Sequence, residues 1–140
     1  MQDLITFFGN HPLLSMAAAV VLVLVFIVEL LRAKRNTFNI SPTSAVQLIN
    51  HQNAVVIDIR PNDIYRKGHI IDAQSISQQE MKNSLKKLEK FKNKPIIIVC
   101  SAGIESQKVA ALLLKQGYNA FSLTGGIRAW NNAGMPLVKE

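Results

Sequence analysis

Apolar and polar positions divide the chain into one long apolar stretch and a following series of short apolar runs. Residues Leu13 to Leu31 are almost without interruption apolar. With a rise of roughly 1.5 Å per residue, a helix of this length just crosses a bilayer core about 30 Å thick. We therefore predict one transmembrane helix over residues 13–31, with Glu29 close enough to one end to reach the interface.

The charges that flank this stretch favour an uncleaved anchor over a cleaved signal peptide. Asp3 precedes it without any Lys or Arg, whereas Arg32, Lys34 and Arg35 follow it. A signal peptide has its positive charge before the apolar core. The positive-inside rule predicts a single-pass protein of the inner (cell) membrane with a cytoplasmic C-terminal domain. The predicted organisation is a membrane segment with its basic flank at 1–36 and a domain at 37–140.

Beyond a short polar connection at 36–40, apolar runs of strand length alternate with stretches of helical periodicity. The predicted strands cover residues 54–59, 74–76, 96–99 and 120–123. One predicted helix starts at Ser41-Pro42, and the others cover 62–67, 77–91, 106–115 and 127–132. Alternation at this spacing predicts an α/β fold, with a central, mainly parallel β-sheet flanked by helices on both faces.

The single cysteine of the chain follows the β-branched run Ile96–Val99. Gly103 permits a sharp turn, and a helical pattern follows from Ser106. Cys100 would thus lie at the carboxyl end of a buried strand and before a helix N-terminus, where backbone N–H groups converge and favour the reactive thiolate. The alternative is a small buried residue without chemistry. Asp58 ends another predicted strand and would lie at the same edge of the sheet.

Composition narrows the classes of function. The net charge of +7 arises from 16 Lys and Arg against 9 Asp and Glu. Four lysines lie away from the apolar stripe of the predicted helix 77–91, namely Lys82, Lys86, Lys87 and Lys90. We interpret them as a solvated surface, with attraction to anionic lipid as the alternative. They lack interleaved aromatic residues, so nucleic-acid binding is not expected. One cysteine and three scattered histidines predict neither a disulfide framework nor a metal site.

Four motifs occur in a fixed order after the apolar stretch. They are Asp58-Ile59-Arg60, then Gly68-His69-Ile70 with Ala73, then Cys100-Ser101-Ala102-Gly103, then Leu123 to Trp130 followed by Gly134-Met135-Pro136. Together they resemble a rhodanese-like (sulfurtransferase) domain over roughly residues 39–138. In the last motif, Gly125 and Gly126 are interpreted as turn residues and Trp130 as a core residue.

The resemblance implies that Cys100, as a thiolate, takes the outer sulfur of a small donor such as thiosulfate or a persulfide. The resulting persulfide would pass this sulfur to a thiol or another thiophilic acceptor. No cofactor and no metal are implied. The implied active-site loop consists of Cys100, Ser101, Ala102, Gly103, Ile104 and Glu105, with the hydroxyl of Ser106 beside it. Bacterial membrane proteins with one cytoplasmic domain of this kind fit the predicted topology, and a protein partner at the membrane stays open.

Three further residues would support the site. Asp58 either positions the loop or, as we favour, forms an ion pair or turn cap with Arg60. His69 is a candidate general base for Cys100, but in the family that this chain resembles the matching histidine is mostly structural. We therefore favour a structural role for His69.

The chain departs from the family's pattern in ways that bear on activity. Glu105 lies where many active members carry Arg, so its carboxylate would repel dianionic thiosulfate and disfavour the thiolate. Ile71 and Asp72 replace a Pro and a Gly of the second motif. The alternative function is therefore a catalytically weak or inactive interaction or regulatory module at the inner membrane. A cysteine phosphatase would need Arg at Ser106 to clamp phosphate, so that interpretation is disfavoured.

Overall fold

The computed structural model describes residues 1–36, 38–83 and 85–140, without the side chains of residues 34–36. Within this description the chain divides into two compact units, Met1–Thr37 and Phe38–Glu140. Thr37, which falls in the predicted connection 36–40, and Ser84, which falls in the predicted helix 77–91, lie outside the described residues.

The first unit consists of two helices. Helix α1 covers Gln2–Asn10 and was not predicted, and helix α2 covers Pro12–Asn36. The segment Pro12–Ala33 of α2 is long and apolar enough to cross a membrane, and none of its most apolar window is buried against protein. A signal sequence near an N-terminus also meets these criteria of length and composition. The apolar helix is therefore present, whereas its membrane insertion remains a prediction.

The second unit alternates short strands with helices. Its strands are β1 Asn39–Ile40, β2 Val55–Asp58, β3 Gln74–Ser75, β4 Ile96–Val99 and β5 Ala120–Leu123. Its helices are α3 Pro42–Gln52, α4 Asn62–Lys67, α5 Gln78–Asn83, a 3₁₀ helix Leu85–Phe91, α6 Ile104–Lys115 and α7 Gly126–Asn132.

The five strands form one parallel sheet in the order β1-β5-β4-β2-β3. Strand β4 lies at its centre, and Asp58 at the end of β2 is in register with Val99 at the end of β4. Since parallel strands end at the same edge, the residues that follow β2 and β4 emerge side by side. The predicted α/β architecture is confirmed, and the sheet brings the Asp58 and Cys100 motifs together.

Helices cover both faces of the sheet. Side chains alternate along β4, with Ile96 and Ile98 on one face and Ile97 and Val99 on the other. The first pair packs with α5, the 3₁₀ helix and α6, and the second pair packs with α3, α4 and α7. All four residues are buried, as expected for a strand covered on both sides.

Local sequence explains the ends of α3. Ser41 is the N-cap, and its hydroxyl accepts a hydrogen bond from the Ser44 N–H at 3.2 Å. Pro42 follows at the first helical position, where its missing N–H has no cost. Asn53 ends the helix in the left-handed conformation, with φ of 52°, which Asn tolerates better than most residues.

The prediction of a single helix over 77–91 was wrong, because the structure contains two shorter elements there. Helix α5 ends at Asn83, and a 3₁₀ helix begins at Leu85. The stripe residues Leu85, Leu88 and Phe91 recur every third position, which matches the three residues per turn of a 3₁₀ helix. The predicted polar connection 36–40 also differs, because Asn39–Ile40 pairs with β5 as a short edge strand.

Candidate functional site

Cys100 lies immediately after β4, in a loop that ends where α6 begins. Gly103 is the N-cap of α6 and has φ of 92°, a conformation that favours glycine. The turn directs two backbone N–H groups at the sulfur, from Gly103 at 3.0 Å and from Ser106 at 3.4 Å. These donors lie at the positive end of α6, so they can stabilise negative charge on Sγ.

A pair of buried hydroxyls lies behind the sulfur. The Cys100 thiol donates to the Ser106 hydroxyl at 3.4 Å, and that hydroxyl donates to the Gly103 carbonyl at 3.1 Å. Ser106 Oγ is also 2.8 Å from Ser122 Oγ, and both serines are fully buried. If Sγ loses its proton, the Ser106 hydroxyl can rotate to donate to the sulfur while Ser122 donates to Ser106. Ser122 was not predicted as a site residue, although it is a polar residue within the otherwise apolar strand β5.

Helix α7 determines the orientation of the loop's peptide groups. The N–H groups of Ile127 and Arg128 donate to the carbonyls of Cys100 and Ser101, at 2.9 and 3.2 Å. A Cβ atom at Gly126 would collide with the Cys100 carbonyl and with Ser101. Since the carbonyls point at α7, the opposite side of the loop is left to N–H groups. Gly126 is therefore not only the turn residue that the sequence predicted: its missing side chain also allows the start of α7 to contact the Cys100 loop.

A second close contact lies between Gly103 in the Cys100 loop and Gly125 in the turn before α7. Gly103 and Gly125 both have positive φ, of 92° and 74°. A Cβ atom on Gly103 would lie 2.8 Å from the backbone nitrogen of Gly125. Any larger residue at Gly103 would therefore push the loop away from the turn that precedes α7.

Asp58 and Arg60 form a buried ion pair at the end of β2. Asp58 accepts from the Arg60 backbone N–H at 3.0 Å, from Nε at 3.0 Å and from Nη2 at 2.7 Å. Arg60 Nη2 also donates to the Gly68 carbonyl at 2.7 Å. The two residues are only 1% and 7% exposed. Asp58 thus both caps the turn and pairs with Arg60, the roles that we favoured, and its carboxylate is occupied by these bonds.

His69 is held by α4 and the C-terminal segment. Its ring stacks on Tyr65 with centroids 3.9 Å apart, and Nδ1 lies 3.0 Å from the Tyr65 carbonyl. Because a carbonyl only accepts, this bond places a proton on Nδ1. The His69 backbone also pairs with Val138. Among the described residues, none of the His69 hydrogen bonds involves Cys100, so the geometry favours the structural role.

A cleft of about 320 Å³ opens beside the sulfur. Cys100 is 7% exposed and lines this cleft, so a donor must approach Sγ through it. Most of the lining is apolar and comes from Ile59, Pro61, Ala102 and Ile104. Arg60, Gln78, Ser101 and Glu105 supply the polar lining. Of these, Ile59, Pro61 and Gln78 were not predicted as site residues, and no spacing in the sequence indicated that α5 would reach the loop.

Glu105 lies at the rim of the cleft and is turned toward α5. Its Oε2 accepts from Gln78 Nε2 at 2.8 Å, and its Oε1 accepts from Lys108 Nζ at 3.3 Å. The bond from Gln78, followed by the bond and charge of Lys108, lowers the pKa of the Glu105 carboxyl below its usual value. Glu105 is thus ionised at neutral pH. Lys108 and Lys82 line a neighbouring cleft rather than the one that contains Cys100.

Nothing in the described part of the chain resembles a metal centre. No group of three or more His, Cys, Asp or Glu side chains converges among the residues that the structure describes. The groups that contact one another at this site are the Cys100 sulfur, two backbone N–H donors and the hydroxyls of Ser106 and Ser122.

A parallel α/β domain with a cysteine cradled between the central strand and a helix N-terminus defines a class of cysteine-loop proteins. Residues 41–133 match the family described as Rhodanese-like domain. The chain is similar over its whole length to the uncharacterized protein YibN of Escherichia coli K12, with 37% identity and 99% of both chains covered. It is 34% identical to the thiosulfate sulfurtransferase GlpE of Pseudoalteromonas translucida, over 68% of this chain and 90% of that protein.

Solved structures agree with the sequence comparison. A rhodanese-related protein of Thermoplasma volcanium superposes with a TM-score of 0.67 at 26% identity, covering 73% of this chain and 98% of that one. The chain belongs to the rhodanese-like domain family, as its motifs predicted. Its relatives include thiosulfate sulfurtransferases.

Proposed function

We propose that this protein is a membrane-tethered sulfurtransferase that carries sulfane sulfur as a persulfide on Cys100. The observation that carries the proposal is the contact of Sγ with the N–H groups of Gly103 and Ser106 at the end of an open cleft. Backbone donors held by a folded loop stabilise an anion without reorganising during the reaction. The similarity to GlpE proteins, which are described as thiosulfate sulfurtransferases, supports the same chemistry.

The proposed reaction has two steps. The Cys100 thiolate attacks the outer sulfur of a donor, a new Sγ–S bond forms, and the bond between that sulfur and the rest of the donor breaks with its electron pair. An acceptor nucleophile then attacks the outer sulfur of the persulfide and releases the Cys100 thiolate. The sulfur atom is passed on without net oxidation of the protein. Two easier displacements replace one direct transfer.

The loop residues have distinct parts in these steps. Negative charge lies before the first step on Sγ, which the two backbone donors contact, and after this step on the outer sulfur. The Ser106 hydroxyl can add a third donor to Sγ, and Ser122 supports it from β5. Helix α7 keeps the carbonyls of Cys100 and Ser101 directed away from this charge.

The N-terminal helix supports the tether. Its large apolar side chains are exposed along the whole of Pro12–Ala33, and they need either lipid or another protein to cover them. Arg32, Lys34 and Arg35 follow the apolar segment in the sequence. We therefore propose a single-pass inner-membrane protein whose rhodanese-like domain faces the cytoplasm.

The proposal is tested by turnover of the full-length protein in detergent. With an alkyl persulfide as donor and cyanide as acceptor, the wild type should release thiocyanate, and Cys100→Ser should lose this activity. Lys115→Ala, an exposed change in the last turn of α6 and far from the loop in sequence, serves as the matched control and should keep wild-type turnover. Equal turnover of wild type and Cys100→Ser would refute a Cys100 persulfide.

The ionised carboxylate of Glu105 favours a second candidate, an interaction module at the membrane. In that case the thiol would be dispensable, and Cys100→Ser would leave the cellular phenotype unchanged. A surface change such as Lys86→Glu would instead alter recovery of a protein partner. A phenotype that depends strictly on the thiol would count against this candidate.

A further inference from the structure

Among the described residues that line the cleft beside Cys100, no cationic side chain is unpaired. Arg60 is the one cationic side chain among its described lining residues, and its Nε and Nη2 are bound to Asp58 and to the Gly68 carbonyl. The remaining wall is mainly apolar. A dianion such as thiosulfate would have to give up water here and receive only neutral backbone donors in return.

Glu105 places an ionised carboxylate at the rim, where it is ion-paired with Lys108 at 3.3 Å. Gln78 and Lys108 fix its carboxylate, with the side chain 45% exposed, and the same contacts keep it ionised. Lys108 and Lys82 approach it from the neighbouring cleft. Gln78 and Glu105 line both clefts, whereas Lys82 and Lys108 line only the neighbouring one.

We infer that Glu105 selects the sulfur donor by charge, and that the donor class is a persulfide of a small thiol that carries a cationic or neutral group beside its sulfur. The inference rests on the proposed persulfide chemistry of Cys100. A positive group on the donor would lie against the Glu105 carboxylate while its short apolar segment lies on Ile59, Pro61 and Ile104. Anionic donors, thiosulfate among them, are disfavoured.

The transfer step needs no further reagent. The Cys100 thiolate attacks the terminal sulfur of R–S–SH, and the new Sγ–S bond forms as the S–S bond of the donor breaks. The electron pair leaves with R–S⁻, which takes the proton of the terminal sulfur and departs as R–SH. Cys100 is left as the persulfide anion, so charge and atoms balance.

The test compares three persulfides of similar size on the full-length protein in detergent. Their parent thiols are cysteamine (cationic), 2-mercaptoethanol (neutral) and 3-mercaptopropionate (anionic), and intact mass reports the initial rate of sulfur addition. The wild type should react about threefold faster with the cationic donor than with the anionic one, a small factor because solvent and Lys108 screen the exposed Glu105 carboxylate. High salt should reduce this ratio.

Two variants isolate the charge. Glu105→Gln should bring the ratio close to one, and Glu105→Lys should reverse it. Glu89→Gln, which removes an exposed carboxylate on the 3₁₀ helix, should keep the wild-type ratio. The intrinsic reactivity of each donor is divided out by its rate with free cysteine.

The outcomes separate this inference from the proposed function. Persulfide formation at the same corrected rate from all three donors would overturn the charge selection and leave the sulfurtransferase proposal intact. Failure of every donor to modify Cys100 in folded wild type would overturn both. A ratio that stays unchanged in Glu105→Lys would overturn the role of Glu105 alone.

Discussion

The turns that follow the neighbouring strands β2 and β4 differ in their side chains: the first contains a buried ion pair, and the second contains a thiol beside a cleft. At the end of β2, Asp58 and Arg60 satisfy one another, and both are almost completely buried. At the end of β4, the hydrogen-bond partners of the Cys100 sulfur within the described structure are neutral, and the sulfur lines an open cleft. Both turns occupy the edge where ligands bind to parallel sheets. Only the second has a group that is free to form a new bond.

The difference indicates that the β2 turn mainly stabilises the fold, whereas the β4 turn carries the reactive group. A buried ion pair whose members are bound to each other has little capacity left for a substrate, whereas the loss of one member leaves a buried charge unpaired. The sulfur is held by backbone donors that gain strength as its charge grows. Changes at the β2 turn should therefore affect the folding free energy first, and changes at the β4 turn should affect the reaction first.

The largest stability effect is expected for Asp58→Ala. This variant leaves the Arg60 guanidinium buried without its carboxylate, and we expect a loss of about 3–5 kcal/mol in the free energy of unfolding. Urea unfolding followed by fluorescence measures it, because the single tryptophan of the chain, Trp130, is buried in this domain. The double variant Asp58→Ala/Arg60→Met should lose less than the sum of the single changes. Strict additivity would mean that the two residues are not coupled.

Gly126→Ala should damage both stability and reaction. Its Cβ would collide with the Cys100 carbonyl, and Gly126 has φ of 59°, so we expect a loss of about 2–4 kcal/mol. Sulfur transfer should fall about tenfold or more as the backbone donors shift. Gly117→Ala is the matched control, because Gly117 has φ of 86° but nothing near its Cβ position. Equal effects in both variants would show that backbone strain, rather than contact with the loop, is responsible.

A smaller effect on stability and a selective effect on rate are expected for Ser122→Ala. The change removes one hydrogen bond to Ser106, at a cost of about 1 kcal/mol. Sulfur addition to Cys100 should slow by roughly fivefold, because the Ser106 hydroxyl loses the donor that would support it when it turns to the thiolate. Ser44→Ala, which removes a hydroxyl near the start of α3, is the control. An unchanged rate in Ser122→Ala would exclude a role for the hydroxyl pair.

The smallest effect is expected for Glu80, an exposed carboxylate on α5. Lys87 and Ser77 lower the pKa of Glu80 from 4.5 to about 2. Since the folded-state pKa is the lower one, the stabilisation is complete above pH 4.5 and disappears as the pH falls through about 2. Glu80→Gln should therefore reduce the loss of stability over that pH interval. Urea midpoints measured at several pH values test this, and identical profiles for variant and wild type would contradict it.

The motifs and the sheet were accessible from the sequence for physical reasons. A β-branched run such as Ile96–Val99 is typical of a parallel strand covered on both faces. The residues Ser41 and Pro42 are typical of a helix start, so the beginning of α3 was also predictable. The position of Cys100 at the carboxyl end of β4 followed from the predicted strand. Asp72 was noted as a departure from the family's glycine, and the structure shows that it takes φ of 61°, which Asp tolerates.

Long-range contacts were not accessible in the same way. The bond from Gln78 to Glu105 joins residues 27 apart in sequence, and the contact of Ser122 with Ser106 crosses from β5 to α6. Neither has a local pattern, because both depend on how the elements pack. The division of the predicted helix 77–91 has a different, local origin: the apolar spacing fits both an α-helix and a 3₁₀ helix.

The account depends most on whether the cradled sulfur of Cys100 accepts a sulfur atom. Intact-mass measurement of the full-length protein after brief exposure to an alkyl persulfide tests this directly. We expect a gain of one sulfur atom per chain, located on Cys100 by peptide mapping and removed by cyanide. A folded protein that gains no sulfur, or gains it equally when Cys100 is replaced by Ser, would contradict the account.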